Sequence, residues 1–600
     1  MKGVRRAAGL CAAVVLGCAA VPALAHAQGY KRSSFDLSVK VGPGHAQTCV
    51  ITAYIYKPDR ASAAHPVPAI LTTNGFGGSK NDAGAWAPEL ASHGYAVLSY
   101  SGLGFGGSSC RIALDSTQWD GEAASDLVTF LGGGLRATDG MRVDYVKRQA
   151  HAPNGRYYRY DPVVGMIGGS YGGEIQFAAA DQDPRIDAIV PIITWNELTY
   201  SLAPNNATLI GNTLRPRIPG ITKKNFLLGL WIEGSTATAT APTTPSACSN
   251  FLQLICALKT QMIGDGYASA STFAQTRVNS VASYYSHIHI PVMLMQGEDD
   301  NLFDLQESIA TYDALRADHT PVKLVWQSWG HSDSTPAAGE FATGGAYFEP
   351  NGVPAFEPKL VLDWFSYYLD HTGPAPKLNF VYFRPWVRYS GDDVTKAYAS
   401  APRYPLPGSS RLYLSDAASS SGDGSGTLSL SRTVTGGTRT FTVPQVGATE
   451  SDTGSSPFTA GSLVPTDPAG SFTEFESAPL TKAVNVVGVP TVTVHVSAPS
   501  AELASALPGT VGLFFRLEDI SPSGVATLPD NLVSPARFAN GSTVTVQLPG
   551  IVHSFAKGDR IALVIAGSDS DYSLPDPGAT VSVTTSAGAP GVLALPAAGV

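Results

Sequence analysis

Val163-Val-Gly-Met-Ile-Gly-Gly-Ser-Tyr-Gly-Gly-Glu-Ile-Gln-Phe-Ala-Ala-Ala180 is the stretch on which the fold turns. Val163 to Ile167 is a short, nearly unbroken apolar run, the pattern of a strand buried on both faces. Residues 172–181 read as a helix. Between them, Gly168-Gly-Ser-Tyr-Gly172 fits G-x-S-x-G. A strand that turns so sharply into a helix forces its central residue into a strained backbone conformation. Gly168 and Gly172 let strand and helix approach, and Ser170 is left exposed above the sheet.

The same strand type recurs on both sides. Val67–Thr73, Tyr95–Tyr100, Ile186–Ile193, Ile290–Met295 and Val322–Trp326 are short apolar runs. Helical stretches at 81–93, 120–132, 172–181 and 304–318 separate them, and a helix over 358–369 closes the unit. Buried strands alternating with helices predict a mostly parallel sheet covered on both faces, an α/β class. Residues 34–41 and 48–58 alternate like antiparallel strands added in front. Between Trp195 and about Ser286 the strand rhythm stops. Helical pieces at 223–233, 248–263 and 271–285 make this insertion, 197–286, a cap.

After about residue 378 helical periodicity disappears, and Ser, Thr, Gly and Val dominate. Short alternating strands such as Thr491–Val496 and Arg560–Ile565 predict an all-β sandwich or jelly roll over 378–600. The expected organisation is therefore a leader over 1–27, a catalytic unit over 28–377 and the β unit.

Lys2, Arg5 and Arg6 precede an apolar Ala7–Val21, and Ala23-Leu-Ala25 or Ala25-His-Ala27 offers a cleavage site, so residues 1–27 read as a secretory signal peptide. The chain is expected to be secreted or held in the periplasm or cell envelope. Six cysteines are present, and Cys11 and Cys18 would leave with the leader. The remaining four allow three pairings. Closeness in sequence favours Cys248–Cys256, leaving Cys49–Cys110. The formal charge is −9, with no Lys/Arg cluster in the mature chain. That argues against nucleic acid and anionic membranes as partners, and no other segment is long and apolar enough to insert in a bilayer. A small ester or peptide is the expected partner; the oligomeric state is not legible.

A serine hydroxyl needs a base, and the base needs an orienting carboxylate. Gln296-Gly-Glu-Asp-Asp-Asn-Leu-Phe303 and Trp329-Gly-His331 each follow the carboxyl end of a strand, where open α/β sheets place their ligands. His331 is the candidate base. Asp300 is the candidate acid with Asp299 the alternative, and Glu298 reads as a solvated loop charge. An oxyanion would need two backbone donors: the N–H of Tyr171, and that of Phe76 in Asn74-Gly-Phe-Gly-Gly78. Trp195, Tyr200 and Trp231 are candidates for the substrate pocket. This chemistry requires no metal or cofactor.

Gly168–Gly173, Asn74–Gly78, Gly102-Leu-Gly-Phe-Gly-Gly-Ser108, Gln296–Asp300 and Trp329–His331, with Val487–Val496, Phe514–Ile520 and Val552–Ser568 in the tail, resemble the X-Pro dipeptidyl-peptidase and cocaine-esterase family of serine hydrolases. The resemblance implies an α/β-hydrolase core, a helical cap and a C-terminal jelly roll, with Ser170, Asp300 and His331 at the triad positions. The chain departs from the family pattern at Tyr100–Gly104, which lacks the family's Asp and Arg, and at Phe76, where a Tyr is common. The leading expectation is a serine hydrolase that cleaves an ester or amide through an acyl-enzyme at Ser170. The cap 197–286 holds few acids (Glu197, Glu233 and Asp265) and many apolar residues, which favours an acyl esterase. An X-Pro-type peptidase is the alternative; a non-catalytic protein gripping a glycan or polymer is the rival of a different class.

Overall fold

The fold was read from a computed structural model. It describes residues 29–84, 86–207, 219–237, 248–342, 354–391, 393–419, 421, 424–445, 467–501 and 507–596. The predicted leader lies outside the described residues.

Ten strands form the first sheet: β1 (Tyr30–Val41), β2 (Gln47–Pro58), β3 (Ala69–Thr73), β4 (Ala96–Tyr100), β5 (Val164–Gly169), β6 (Ala188–Ile192), β7 (Val292–Gly297), β8 (Val322–Gln327), β9 (Phe380–Tyr382) and β10 (Ala399–Ala401). Their spatial order is β1-β2-β4-β3-β5-β6-β7-β8-β9-β10. The pairs from β4 to β9 are parallel, and β1, β2 and β10 join antiparallel. Side chains along each central strand alternate between two cores. Ala69, Leu71, Val164, Met166, Val292 and Leu294 pack with helices α2 (Glu122–Leu131), α3 (Tyr171–Gln182) and α9 (Leu305–Ala317). Ile70, Ile167, Met293 and Val325 pack on the other face with α1 (Ala87–Ser92) and α10 (Phe356–Tyr368). Burial on both faces is why these strands read as continuous apolar runs.

The insertion after β6 is helical, as expected: α4 (Leu198–Leu202), α5 (Lys224–Thr236), α6 (Gln253–Asp265), α7 (Ala270–Arg277) and α8 (Val281–Tyr284). The single helix expected over 271–285 is broken between α7 and α8. Ser280 is extended there, at φ −132° and ψ 135°. The break turns the Val281 N–H onto the buried Glu174 carboxylate at 2.9 Å, and Arg277 onto Glu197 at 2.6 Å. The first contact ties the cap to the core and the second braces the cap itself, and the period alone does not reveal them. Both expected disulfides are present, Cys49–Cys110 and Cys248–Cys256, with Cα atoms 5.7 and 5.2 Å apart.

The change in composition near residue 378 falls inside the first sheet, which continues through β9 and β10. Beyond Ser409 every described strand belongs to an all-β unit, with one sheet of twelve strands and a two-stranded pair. Its valines, leucines and phenylalanines enclose a separate core. The unit docks against the cap and α9. Asn205 exchanges two hydrogen bonds with the Arg537 backbone, and Gln306 bridges the Leu548 carbonyl and the Gly550 N–H. Among the described residues no helix is long and apolar enough to cross a membrane.

Candidate active site

The sheet order reverses at β3, which lies between β4 and β5. A crevice therefore opens beyond the carboxyl ends of β3 and β5, the place where open α/β sheets bind ligands. Ser170 stands there, between β5 and α3, at φ +56° and ψ −121°. That conformation is costly for a residue with a Cβ and persists only where its surroundings enforce it. The Ser170 N–H donates to the Ile192 carbonyl at 2.9 Å. Gln176, fully buried on α3, donates to the Gly168, Gly172 and Val190 carbonyls and accepts from the Val190 N–H. One side chain thus fastens the turn to β6. Sequence reasoning passed over it; the signal was a glutamine set directly between Ile175 and Phe177, in the buried stretch of α3.

His331 Nε2 lies 2.9 Å from Ser170 Oγ, and His331 Nδ1 lies 2.7 Å from Asp300 Oδ2. The Asp300 carboxylate is fully buried, and its other oxygen accepts the Leu302 and Phe303 N–H groups at 3.1 and 2.8 Å. Phe303 sets its ring edge-on to His331, with centroids 5.0 Å apart. Of the two candidate acids, Asp300 is the one at the histidine. Asp299 makes no hydrogen bond to His331, and burial, with Asp333 and Asp300 nearby, pushes its carboxyl up to about 7. Glu298 is not the solvated charge expected from its sequence: it is buried, accepts the Phe383 N–H at 3.1 Å, and burial raises its pKa well above the usual range. The cover comes from β9 and the loop near Asp530, segments far along the chain.

Asn74 orders the turn after β3. Its Oδ1 accepts the Gly102 N–H at 2.8 Å and its Nδ2 donates to the Gly75 carbonyl at 2.6 Å. Neither the Phe76 N–H nor the Tyr171 N–H is taken by another group among the described residues. The Tyr171 hydroxyl is engaged elsewhere, accepting the Asp115 N–H at 3.1 Å.

The crevice is a cleft of about 620 Å³, counting its open mouth. Ser170 lies on its wall. So do Phe76, Tyr171, Trp195 and Trp231 of the expected residues, joined by Phe251 and Phe303. Trp231 stacks on Phe251 at 4.5 Å, and Phe251 on Phe76 at 6.3 Å. Gly234 on α5 makes room for this stack, since a Cβ there would collide with Phe251 and Phe76. Tyr200, expected in the pocket, does not line it. Its ring is buried between α4 and α9, and its hydroxyl donates to Asp304 at 3.1 Å. Among the described residues no carboxylate lines the cleft.

Residues 47–333 match the family model of the X-Pro dipeptidyl-peptidase (S15 family), and residues 383–588 match that of the X-Pro dipeptidyl-peptidase C-terminal non-catalytic domain. The chain belongs to the S15 family. Like that family it is a serine hydrolase, and the match to the C-terminal domain begins directly after β9. No curated protein matches the chain. Solved structures share the whole S15 architecture at low identity. An α-amino acid ester hydrolase superposes with a TM-score of 0.63 at 15% identity, covering 98% of this chain and 100% of its own. An aminopeptidase from a marine sediment archaeon, Thaumarchaeota archaeon, gives 0.59 at 13%, with 94% and 96% covered. A CocE/NonD family hydrolase from Staphylococcus aureus gives 0.59 at 13%, with 96% and 98% covered. These likenesses show the fold.

Proposed function

We propose that this S15 hydrolase is an acyl esterase with Ser170 as nucleophile. Ser170 Oγ attacks the ester carbonyl while His331 Nε2 takes its proton. The Asp300 carboxylate holds the imidazole by Nδ1 and stabilises its charged form. The Phe76 and Tyr171 N–H groups receive the developing oxyanion. His331 returns the proton to the leaving alkoxide as the carbonyl–oxygen bond breaks. Water, deprotonated by His331, then attacks the acyl-enzyme; the acid leaves and Ser170 regains its proton. One observation carries the choice of ester: among the described residues the cleft beside Ser170 is lined by apolar and aromatic side chains and by no carboxylate. An exopeptidase must hold a free α-amino group, and burying that cation unpaired is costly.

A second reading, an X-Pro-type peptidase, rests on Glu233. Its carboxylate packs against Gly77 of the turn after β3, so closely that a Cβ there would collide with it. The test sets p-nitrophenyl esters of increasing acyl length beside peptidyl p-nitroanilides, Xaa-Pro included, with Ser170→Ala as control. The esterase reading expects ester turnover without anilide turnover, and loss of both in Ser170→Ala by about five to six orders of magnitude. Anilide turnover equal to ester turnover would overturn it. We also infer export through the leader at 1–27, a reading the two disulfides support; an unprocessed amino terminus in the protein recovered from its native source would refute it.

A further inference from the structure

One charged side chain stands in the wall of the cleft. Among the described residues, every lining residue apart from Ser170 and Lys259 is apolar or aromatic. Lys259, on α6, carries its Nζ 4.5 Å from the centroid of the Trp231 ring. It makes no hydrogen bond or ion pair among the described residues. The acids of the cap are turned elsewhere. Glu197 is bound by Arg277, Asp265 accepts from Gln261, and Glu233 packs on Gly77.

The ammonium also has a fixed place relative to the nucleophile. Rings run in a row from Tyr171, the neighbour of Ser170, to Phe76 at 5.6 Å, Phe251 at 6.3 Å and Trp231 at 4.5 Å. Lys259 sits at the far end of that row. An apolar group filling the cleft would strip water from this ammonium and return nothing to it, a cost a leucine or methionine would avoid. A cation at the end of an apolar track suits a substrate that is apolar along its length and anionic at its tip.

We propose that Lys259 is a specificity-determining residue and that the cleft takes esters whose apolar acyl arm ends in a carboxylate. The proposal rests on Ser170 as the nucleophile, and it adds the chemistry of the far end of the substrate. The ammonium is partly exposed, so the pair it forms is worth a modest factor and weakens with salt.

The test uses covalent probes, which report on the cleft whether the natural bond is an ester or an amide. Alkyl fluorophosphonates of equal length, ending in methyl, carboxylate or trimethylammonium, are reacted with the full mature chain. The rate of Ser170 labelling is followed by mass spectrometry. The rate ratio of carboxylate to methyl probe should fall by about fivefold in Lys259→Met, the worth of one half-exposed ion pair. Lys259→Arg should keep the ratio, and Lys259→Glu should turn the preference towards the trimethylammonium probe. An unchanged ratio in Lys259→Met, with Ser170 labelled normally, would overturn the proposal and leave the nucleophile standing; the lysine stem would then merely cover Trp231. Failure of every probe to label Ser170 would overturn the nucleophile and the proposal together.

Discussion

Gly168 and Gly172 face each other across the turn that carries Ser170: a Cβ on Gly168 would stand 2.5 Å from the Gly172 carbonyl oxygen. Real Cβ atoms do not approach a backbone oxygen so closely, so any side chain at 168 must push strand and helix apart. Ser170 sits between them and would move with them. Gly168→Ala is therefore expected to lower kcat by about a hundredfold, the cost of a displacement of about 1 Å at the reacting atom. Steady-state kinetics on a p-nitrophenyl ester, with thermal unfolding to show a folded chain, check it.

The two neighbouring aspartates should respond very differently. Asp300→Asn removes the charge that orients His331 and is expected to lower kcat by about 10⁴-fold. Asp299→Asn touches neither His331 nor Ser170 and should leave kcat within about threefold, the scatter of a substitution off the reacting groups. Equal losses would refute Asp300 as the orienting acid.

Asp299 also predicts a pH dependence of stability. Its carboxyl is held at about 7, against an ordinary value of 3.8, chiefly by burial. Between those values the folded chain binds more protons than the unfolded one, so this group's contribution falls as pH rises. Asp299→Asn removes that loss. The variant should gain stability over the wild type as pH rises from the lower value to the upper, with no difference below the lower. Urea unfolding of both proteins across that window measures it. A difference that stays flat would refute the prediction.

Lys223 links the cap to the loop of the acid. Its ammonium donates to the Asn301 and Leu302 carbonyls, next to Asp300, and helps hold Asp304 ionised. Lys223→Met should lower kcat by about tenfold through a looser Asp300, with KM for short esters little changed and partial recovery in Lys223→Arg. A change in KM alone would assign the lysine to the cleft.

Trp231 sets the reach of the cleft. Trp231→Ala removes the ring stacked on Phe251 and opens space beyond it. The acyl length giving the highest kcat/KM should shift to longer chains, read from a p-nitrophenyl ester series; an unmoved optimum would place the acyl chain elsewhere.

The chemistry of this site was legible in the sequence because it rests on local backbone geometry. An apolar run, a glycine-flanked serine and a helix leave one way to turn, and residues just after strand ends fall at one edge of a parallel sheet. Ser170 and His331 could be named on those grounds, and Asp300 only ahead of its alternative, Asp299. What surrounds them could not. Tyr200 and Trp195 lie five residues apart after the same strand, yet one is buried against Asp304 and the other lines the cleft. What packs around each ring decides between them, and the local sequence does not encode those neighbours. Glu298 looks like loop charge until β9 and the Asp530 loop cover it. Phe251, Phe303 and Lys259 meet around one cleft although they come from a cap and a core loop. Hydrophobic period tells which face of an element is buried. Which partner buries it is settled only when distant segments pack together, and that packing made the apolar cleft and set Lys259 in its wall.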